Sequence, residues 1–158
     1  AYGAYSFTSG ALGQRPWMAF APVQIDKTAE SLRELDREIR QYASGQVPPS
    51  GEEVARIQAT EIRSLPGAYE TGRAVMGTVG GMVRYDRPDD YVFERKARIE
   101  ALDVDQVKRA AATIDPDKLV WVVVGDLRQT EAAVRALDLG EVRIVDADGQ
   151  PVTSPASM

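Results

Sequence analysis

The sequence predicts an α+β domain, with several helices packed on an antiparallel or mixed sheet. Three observations predict it. The first twenty-odd residues alternate with a period of two and are broken by glycine and proline. The middle of the chain steps by three and four. Near the end a continuous apolar run meets a Gly-Asp pair and a second helical pattern.

Tyr2, Ala4, Ser6 and Thr8 alternate with Gly3, Tyr5, Phe7 and Ser9, the period of a strand. After the turn at Gly10–Arg15, Trp17, Met18, Phe20 and Val23 read as a second strand, so the opening is a hairpin. Helical patterning starts at Thr28, a candidate N-cap with Glu30 in the first turn. Leu32, Leu35, Ile39 and Tyr42 form its buried stripe, while Glu34/Arg37 and Asp36/Arg40 pair on the other face. Ser44-Gly45 and Pro48-Pro49 end it. Ser50-Gly51-Glu52-Glu53 is a capping box opening a second helix to about Ser64, which Leu65-Pro66-Gly67 breaks.

A third helix is expected from Tyr69 to Tyr85, with Val75, Met76, Val79, Met82 and Val83 inward. Glycines at 72, 77, 80 and 81 each lower its intrinsic helicity by about 1 kcal/mol. Asp89 starts a fourth helix, which turns Val92, Arg95, Ile99 and Leu102 to one side. Asp103 with Gln106 caps a fifth, burying Val107, Ala110, Ala111 and Ile114, and Asp115-Pro116-Asp117 stops it. Leu119-Val120-Trp121-Val122-Val123-Val124 reads as a strand covered on both faces. A short helix over Gln129–Leu137, a strand over Glu141–Val145 and a turn at Asp148-Gly149 follow. The domain is assigned to 1–149, and 150–158, rich in Pro, Ser and Thr, is expected to be a disordered tail.

Composition narrows the chemistry. The chain has 158 residues, 24 acidic and 19 basic side chains and a net charge of −5, which argues against a general nucleic-acid binder. It holds no Cys and no His, so it builds no disulfide, thiolate nucleophile, imidazole base or Cys/His zinc site. No apolar run approaches the ~20 residues of a membrane-spanning helix. The first residue is Ala1, consistent with a processed or cloned fragment.

Four segments invite a functional reading. Val122-Val123-Val124-Gly125-Asp126 has the form of a nucleotide-fold strand end, but both glycine-rich phosphate loops are absent, which favours a core strand turning into a helix. Asp86, Asp89 and Asp90 offer oxygen ligands without calcium-loop spacing, and the preference of helix N-termini for acids accounts for them. Gly77 and Gly81 suit tight helix packing, with a hinge as the alternative. Tyr2-Gly3-Ala4-Tyr5-Ser6 supports two readings: a strand with aromatic cross-strand pairs, or an edge where backbone groups pair with an extended peptide and a Tyr hydroxyl donates to its carbonyl.

Taken together, Tyr2–Ser6, Phe20-Ala21-Pro22-Val23-Gln24, Asp26-Lys27-Thr28, Leu65–Thr71, Asp89-Asp90-Tyr91, Leu102–Val107 and Val122–Asp126 resemble, in order, the C-terminal stretch of a pitrilysin/insulinase-family domain. These are inverzincin-type zinc metallopeptidases related to the mitochondrial processing peptidase. The resemblance implies the LuxS/processing-peptidase-like half-domain fold and a clamshell of two homologous halves around a chamber for unfolded peptides. One half carries His-x-x-Glu-His and zinc. The other has lost those ligands and supplies an Arg/Tyr pair that binds substrate and polarises the scissile carbonyl.

The absence of His assigns this chain, within that resemblance, to the non-zinc half, inactive unaided. The family's Arg-(six residues)-Tyr pattern puts its Tyr at Tyr2 and its Arg upstream of Ala1. Tyr2 is then the catalytic donor, and Gly3, Ala4, Tyr5 and Ser6 line the substrate cleft, with simple packing the alternative for Tyr5. No metal is implied in this chain. The implied partners are an unfolded peptide and a zinc-bearing half, in the same polypeptide or a separate subunit. Bacterial relatives imply a periplasmic setting, with the cytoplasm as the alternative because zero Cys suits either compartment, and the closing turn and tail suggest that Met158 lies at or near a natural C-terminus. A structural scaffold of the same fold and a stand-alone peptide-binding module are the competing readings.

Overall fold

A computed structural model of the chain describes residues 3–152. The order is a two-stranded antiparallel hairpin, β1 (Tyr5–Thr8) and β2 (Trp17–Phe20), then helices α1 (Thr28–Ala43), α2 (Gly51–Ser64), α3 (Gly72–Arg84), α4 (Tyr91–Glu100), α5 (Val104–Ala111) and α6 (Leu127–Arg135). Short 3₁₀ turns cover Ile25–Lys27, Gly67–Tyr69 and Pro116–Lys118. The fold is helix-rich with a small sheet, compatible with α+β. The chain forms two compact units. One comprises Ala1–Phe7, Met18–Arg40 and Pro116–Met158, the other Thr8–Trp17 and Gln41–Asp115.

In the first unit, α1 turns Leu32 inward, where it is 8% exposed. The expected ion pairs form, Arg37 to Glu34 at 2.6 Å on the outer face and Arg40 to Asp36 at 2.9 Å beside Leu32. Arg40 also reaches Asp117 at 2.7 Å. Helix α6 begins at the N-cap Asp126, whose carboxylate accepts the Arg128 N–H, and packs against the 3₁₀ turn Ile25–Lys27. The Gln129 amide and Arg128 hold the Asp126 carboxyl below its ordinary range. Thr130 is buried, and its hydroxyl donates to the Asp126 carbonyl.

In the second unit, α2 opens on the expected capping box. The Glu53 N–H donates to Ser50 Oγ at 3.2 Å, and the Ser50 N–H donates to Glu53 Oε2 at 2.8 Å. Gln58 ties α2 to the C-terminal end of α4, its amide donating to the carbonyls of Ile99 at 2.8 Å and Leu102 at 2.9 Å. The Ile99 carbonyl already accepts the Leu102 N–H at 3.2 Å, so the amide adds a second donor there and supplies the donor at Leu102. The Asp103–Gln106 capping box opens α5, which buries Ala111. Helix α3 closes in a Schellman motif: Asp86 takes φ 48, and the Arg87 N–H reaches the Met82 carbonyl at 2.9 Å. Arg87 lies over the rings of Tyr85 and Tyr91, 5.1 and 4.3 Å from their centroids.

Several expectations need correcting. Thr28 is not an N-cap: the chain is already helical from Ile25, and the Thr28 hydroxyl donates to the Ile25 carbonyl. The third helix starts at Gly72, capped by Thr71, because Gly67–Tyr69 forms a separate 3₁₀ turn. The α3 stripe is not inward. Val75, Met76, Val79 and Val83 are 42 to 80% exposed and only Met82 of the stripe is half-buried; the turn Gly67–Tyr69 is the element that packs most against α3. Gly77 and Gly81 have nothing within 4 Å of an added β-carbon, so no backbone approaches there.

Leu119–Val124 joins no ladder among the described residues, and Glu141–Val145 makes a single antiparallel bridge, Val145 to Pro151. A strand is completed by its neighbour, and among the described residues the sheet contains only β1 and β2. The turn near Asp148-Gly149 does form: the Asp146 carboxylate accepts the N–H groups of Asp148 and Gln150, and Gly149 takes φ 78. The expected tail lies, from residue 153 onward, outside the described residues.

Candidate functional site

The hairpin is where the residues singled out for peptide contact fall. The Ser9 N–H donates to the Pro16 carbonyl at 3.1 Å, a pairing that sets Thr8 opposite Trp17 and Tyr5 opposite Phe20. Side chains alternate across a strand, so Tyr5, Phe7, Met18 and Phe20 share one face, while Ser6, Thr8, Trp17 and Ala19 share the other. The aromatic face is the open one: Tyr5 is 59% exposed, Phe7 50%, Met18 39% and Phe20 58%. Trp17 and Ala19 on the other face are half-buried.

Gly3 takes φ +143, a conformation that side chains rarely adopt. A β-carbon at Gly3 would lie 2.7 Å from Tyr5 Oη and 2.9 Å from its Cζ. The Tyr5 ring therefore folds back over the Gly3 backbone, and glycine satisfies both demands at once. Of the expected site residues, Gly3 and Tyr5 are brought together. Ala4 and Ser6 alternate with Tyr5 and are exposed. Tyr2, assigned the donor role, lies outside the described residues.

In this register Tyr5 and Phe7 turn their backbone groups toward β2, and Ser6 and Thr8 turn theirs to the outer edge of β1. Among the described residues no strand lies on that edge. Such an edge is a template for one more extended chain. At the turn, a β-carbon on Gly10 would lie 2.8 Å from Tyr85 Oη, so a larger residue there would have to displace that hydroxyl.

Sequence reasoning missed two features of the site. The exposed face made jointly by Tyr5, Phe7, Met18 and Phe20 was encoded in the alternation of both strands, but the register that unites them needed the turn. The approach of Tyr85 to Gly10 spans seventy-five positions and left no local signal. Among the described residues no group of three or more acidic side chains is placed to hold a metal ion, Asp86, Asp89 and Asp90 included. No described helix is long and apolar enough to cross a membrane. Comparison with family models, curated proteins and solved structures finds no match to this chain.

Proposed function

We propose that the chain is the non-zinc half of a pitrilysin-like zinc metallopeptidase and helps to bind an extended peptide. The observation that carries the reading is the open outer edge of β1, beside a glycine whose backbone conformation and close ring contact exclude a side chain. The ordered resemblance over 1–149 supports it. A peptide laid on this edge would pair with the Ser6 and Thr8 backbone, and its side chains would meet the Tyr5 and Phe7 face. In this reading Tyr2 donates a hydrogen bond to the scissile carbonyl oxygen, beside an Arg supplied from upstream. A donor of this kind is worth up to about 4 kcal/mol of transition-state stabilisation. Zinc and the general base belong to the partner half, which supplies the activated water.

The test is cleavage of a quenched, unstructured peptide of 15–20 residues by a zinc-bearing half, with and without this chain extended upstream to restore the Arg. The expected result is activity only with both pieces, falling about 100-fold or more with Tyr2→Phe. Association of the halves with no gain in cleavage would instead establish a scaffold. Peptide binding by this chain alone, undisturbed by the zinc half, would establish a stand-alone module.

A further inference from the structure

The open edge of β1 constrains what can pair with it, an inference that rests on the peptide-binding reading above. A chain added there hydrogen-bonds to Ser6 and Thr8, whose backbone groups point outward, and sets one side chain opposite each β1 residue. Its side chains therefore fall on alternate faces. Those opposite Tyr5 and Phe7 meet an aromatic face, where Tyr5 is 59% and Phe7 50% exposed. Those opposite Ser6 and Thr8 meet two exposed hydroxyl side chains.

The two faces favour different partners. Beside Phe7 an aromatic or β-branched side chain gains both burial and a cross-strand contact, while Ser or Thr suits the hydroxyl face. The Tyr5 ring is already drawn over Gly3, so Phe7 is the side chain that selects. Charge is constrained as well. From Gly3 to Phe20 the sequence has no acidic residue, and its one basic residue is Arg15 in the turn. A Lys or Arg on the added chain finds no carboxylate on the hairpin, and an exposed ring returns less to a cation than burial returns to an aromatic.

We infer that β1 is a specificity strand whose determinant is Phe7. It takes an extended, uncharged stretch of peptide with aromatic or β-branched residues at every second position and Ser or Thr between them. Main-chain pairing supplies the affinity, and the alternation supplies the selectivity. A second copy of this chain is the poorer occupant, although its own Tyr-Ser-Phe-Thr strand alternates in the same way. A four-residue strand is about 13 Å long, too short to bury the ~1,200 Å² of a stable association. Each copy also carries a net charge of −5.

The experiment titrates the full, isotope-labelled chain with unlabelled peptide and follows the β1 amides by NMR. The probe is Thr-Phe-Thr-Val-Thr-Phe, blocked at both ends, against its isomer Thr-Phe-Val-Thr-Thr-Phe, which has no two apolar residues at alternate positions. Pairing should move the Ser6 and Thr8 amides, which point outward, more than those of Tyr5 and Phe7, which face β2. The alternating peptide should bind at least five-fold more tightly than its isomer. Phe7→Ser should bring the two within two-fold, and Phe7→Tyr should keep them apart, with circular dichroism establishing that both variants fold. N-methylation of alternate peptide nitrogens should abolish binding in one phase only: the threonine nitrogens if the peptide runs antiparallel to β1, the apolar ones if parallel. Equal affinity of the two isomers, with that N-methyl dependence intact, overturns the inference and leaves the edge-binding reading standing. No movement of Ser6 and Thr8 with any peptide, or indifference to both methylation patterns, overturns the two together. Shifts that grow with protein concentration in the absence of peptide give the edge to a second copy and also overturn the inference.

Discussion

Helices α2 and α3 begin alike and end differently. Each opens on a hydroxyl that caps a backbone N–H, Ser50 for α2 and Thr71 for α3. Helix α2 then gains a tertiary tie, because Gln58 reaches the carbonyls at the end of α4 and Glu61 lies 3.5 Å from Arg95. Helix α3 carries four glycines and an apolar stripe that faces open space. Capping sets where a helix starts, whereas cross-chain partners set whether its apolar face is covered. The two are independent, and α3 has the first without the second.

The sharpest way to break the comparison is Gln58→Leu. It removes the donor to the Leu102 carbonyl and one of the donors to that of Ile99, which keeps the Leu102 N–H, and should cost about 1.5 kcal/mol in urea unfolding. Ser50→Ala removes the cap from α2 and should cost about 1 kcal/mol by the same measurement. Gly80→Ala should go the other way. An added β-carbon meets nothing within 4 Å, so α3 should gain about 0.5–1 kcal/mol. Val83→Ala, at 80% exposure, should change stability by less than about 0.5 kcal/mol. A larger loss would mean that the α3 stripe is covered in solution.

The smallest expected effect is on pH dependence. The Ser50 backbone N–H, and then its hydroxyl, hold the Glu53 carboxyl below the ordinary glutamate range. A carboxyl depressed in the folded state stabilises above its unfolded pKa, and that contribution is lost as pH falls through the folded value. Glu53→Gln keeps an acceptor for the Ser50 N–H but does not titrate. The variant should therefore lose less stability than the parent between about pH 5 and pH 3, in thermal melts at matched ionic strength.

Features that depend on three or four adjacent residues were legible in the sequence. Both capping boxes, the Glu34/Arg37 and Asp36/Arg40 pairs, the Asp126 turn into α6 and the hairpin are of this kind. Each is decided by the spacing of groups on one stretch of backbone. Features that depend on what lies alongside were not legible. The apolar pattern of Leu119–Val124 specifies an extended chain with two apolar faces, but pairing requires a neighbour that no local pattern names. The α3 stripe shows the same gap, and so does the Gln58 amide, which reads in sequence as one more polar helix residue. At the candidate site, Gly3 and Tyr5 stood out in the sequence, while the mutual contact that requires a glycine there did not.

The Arg40–Asp117 bridge has a consequence for the order in which the chain folds. The first unit leaves off at Arg40 and resumes at Pro116, so the bridge joins the two residues at the mouth of a long excursion. Closing that excursion as a flexible loop costs entropy that grows with the logarithm of its length. If residues 41–115 have already collapsed on themselves, the loop to be closed is shorter and the toll falls. The first unit should therefore assemble last, waiting on the segment inserted within it. High salt, which screens exposed charges, should slow that final step more than the earlier ones.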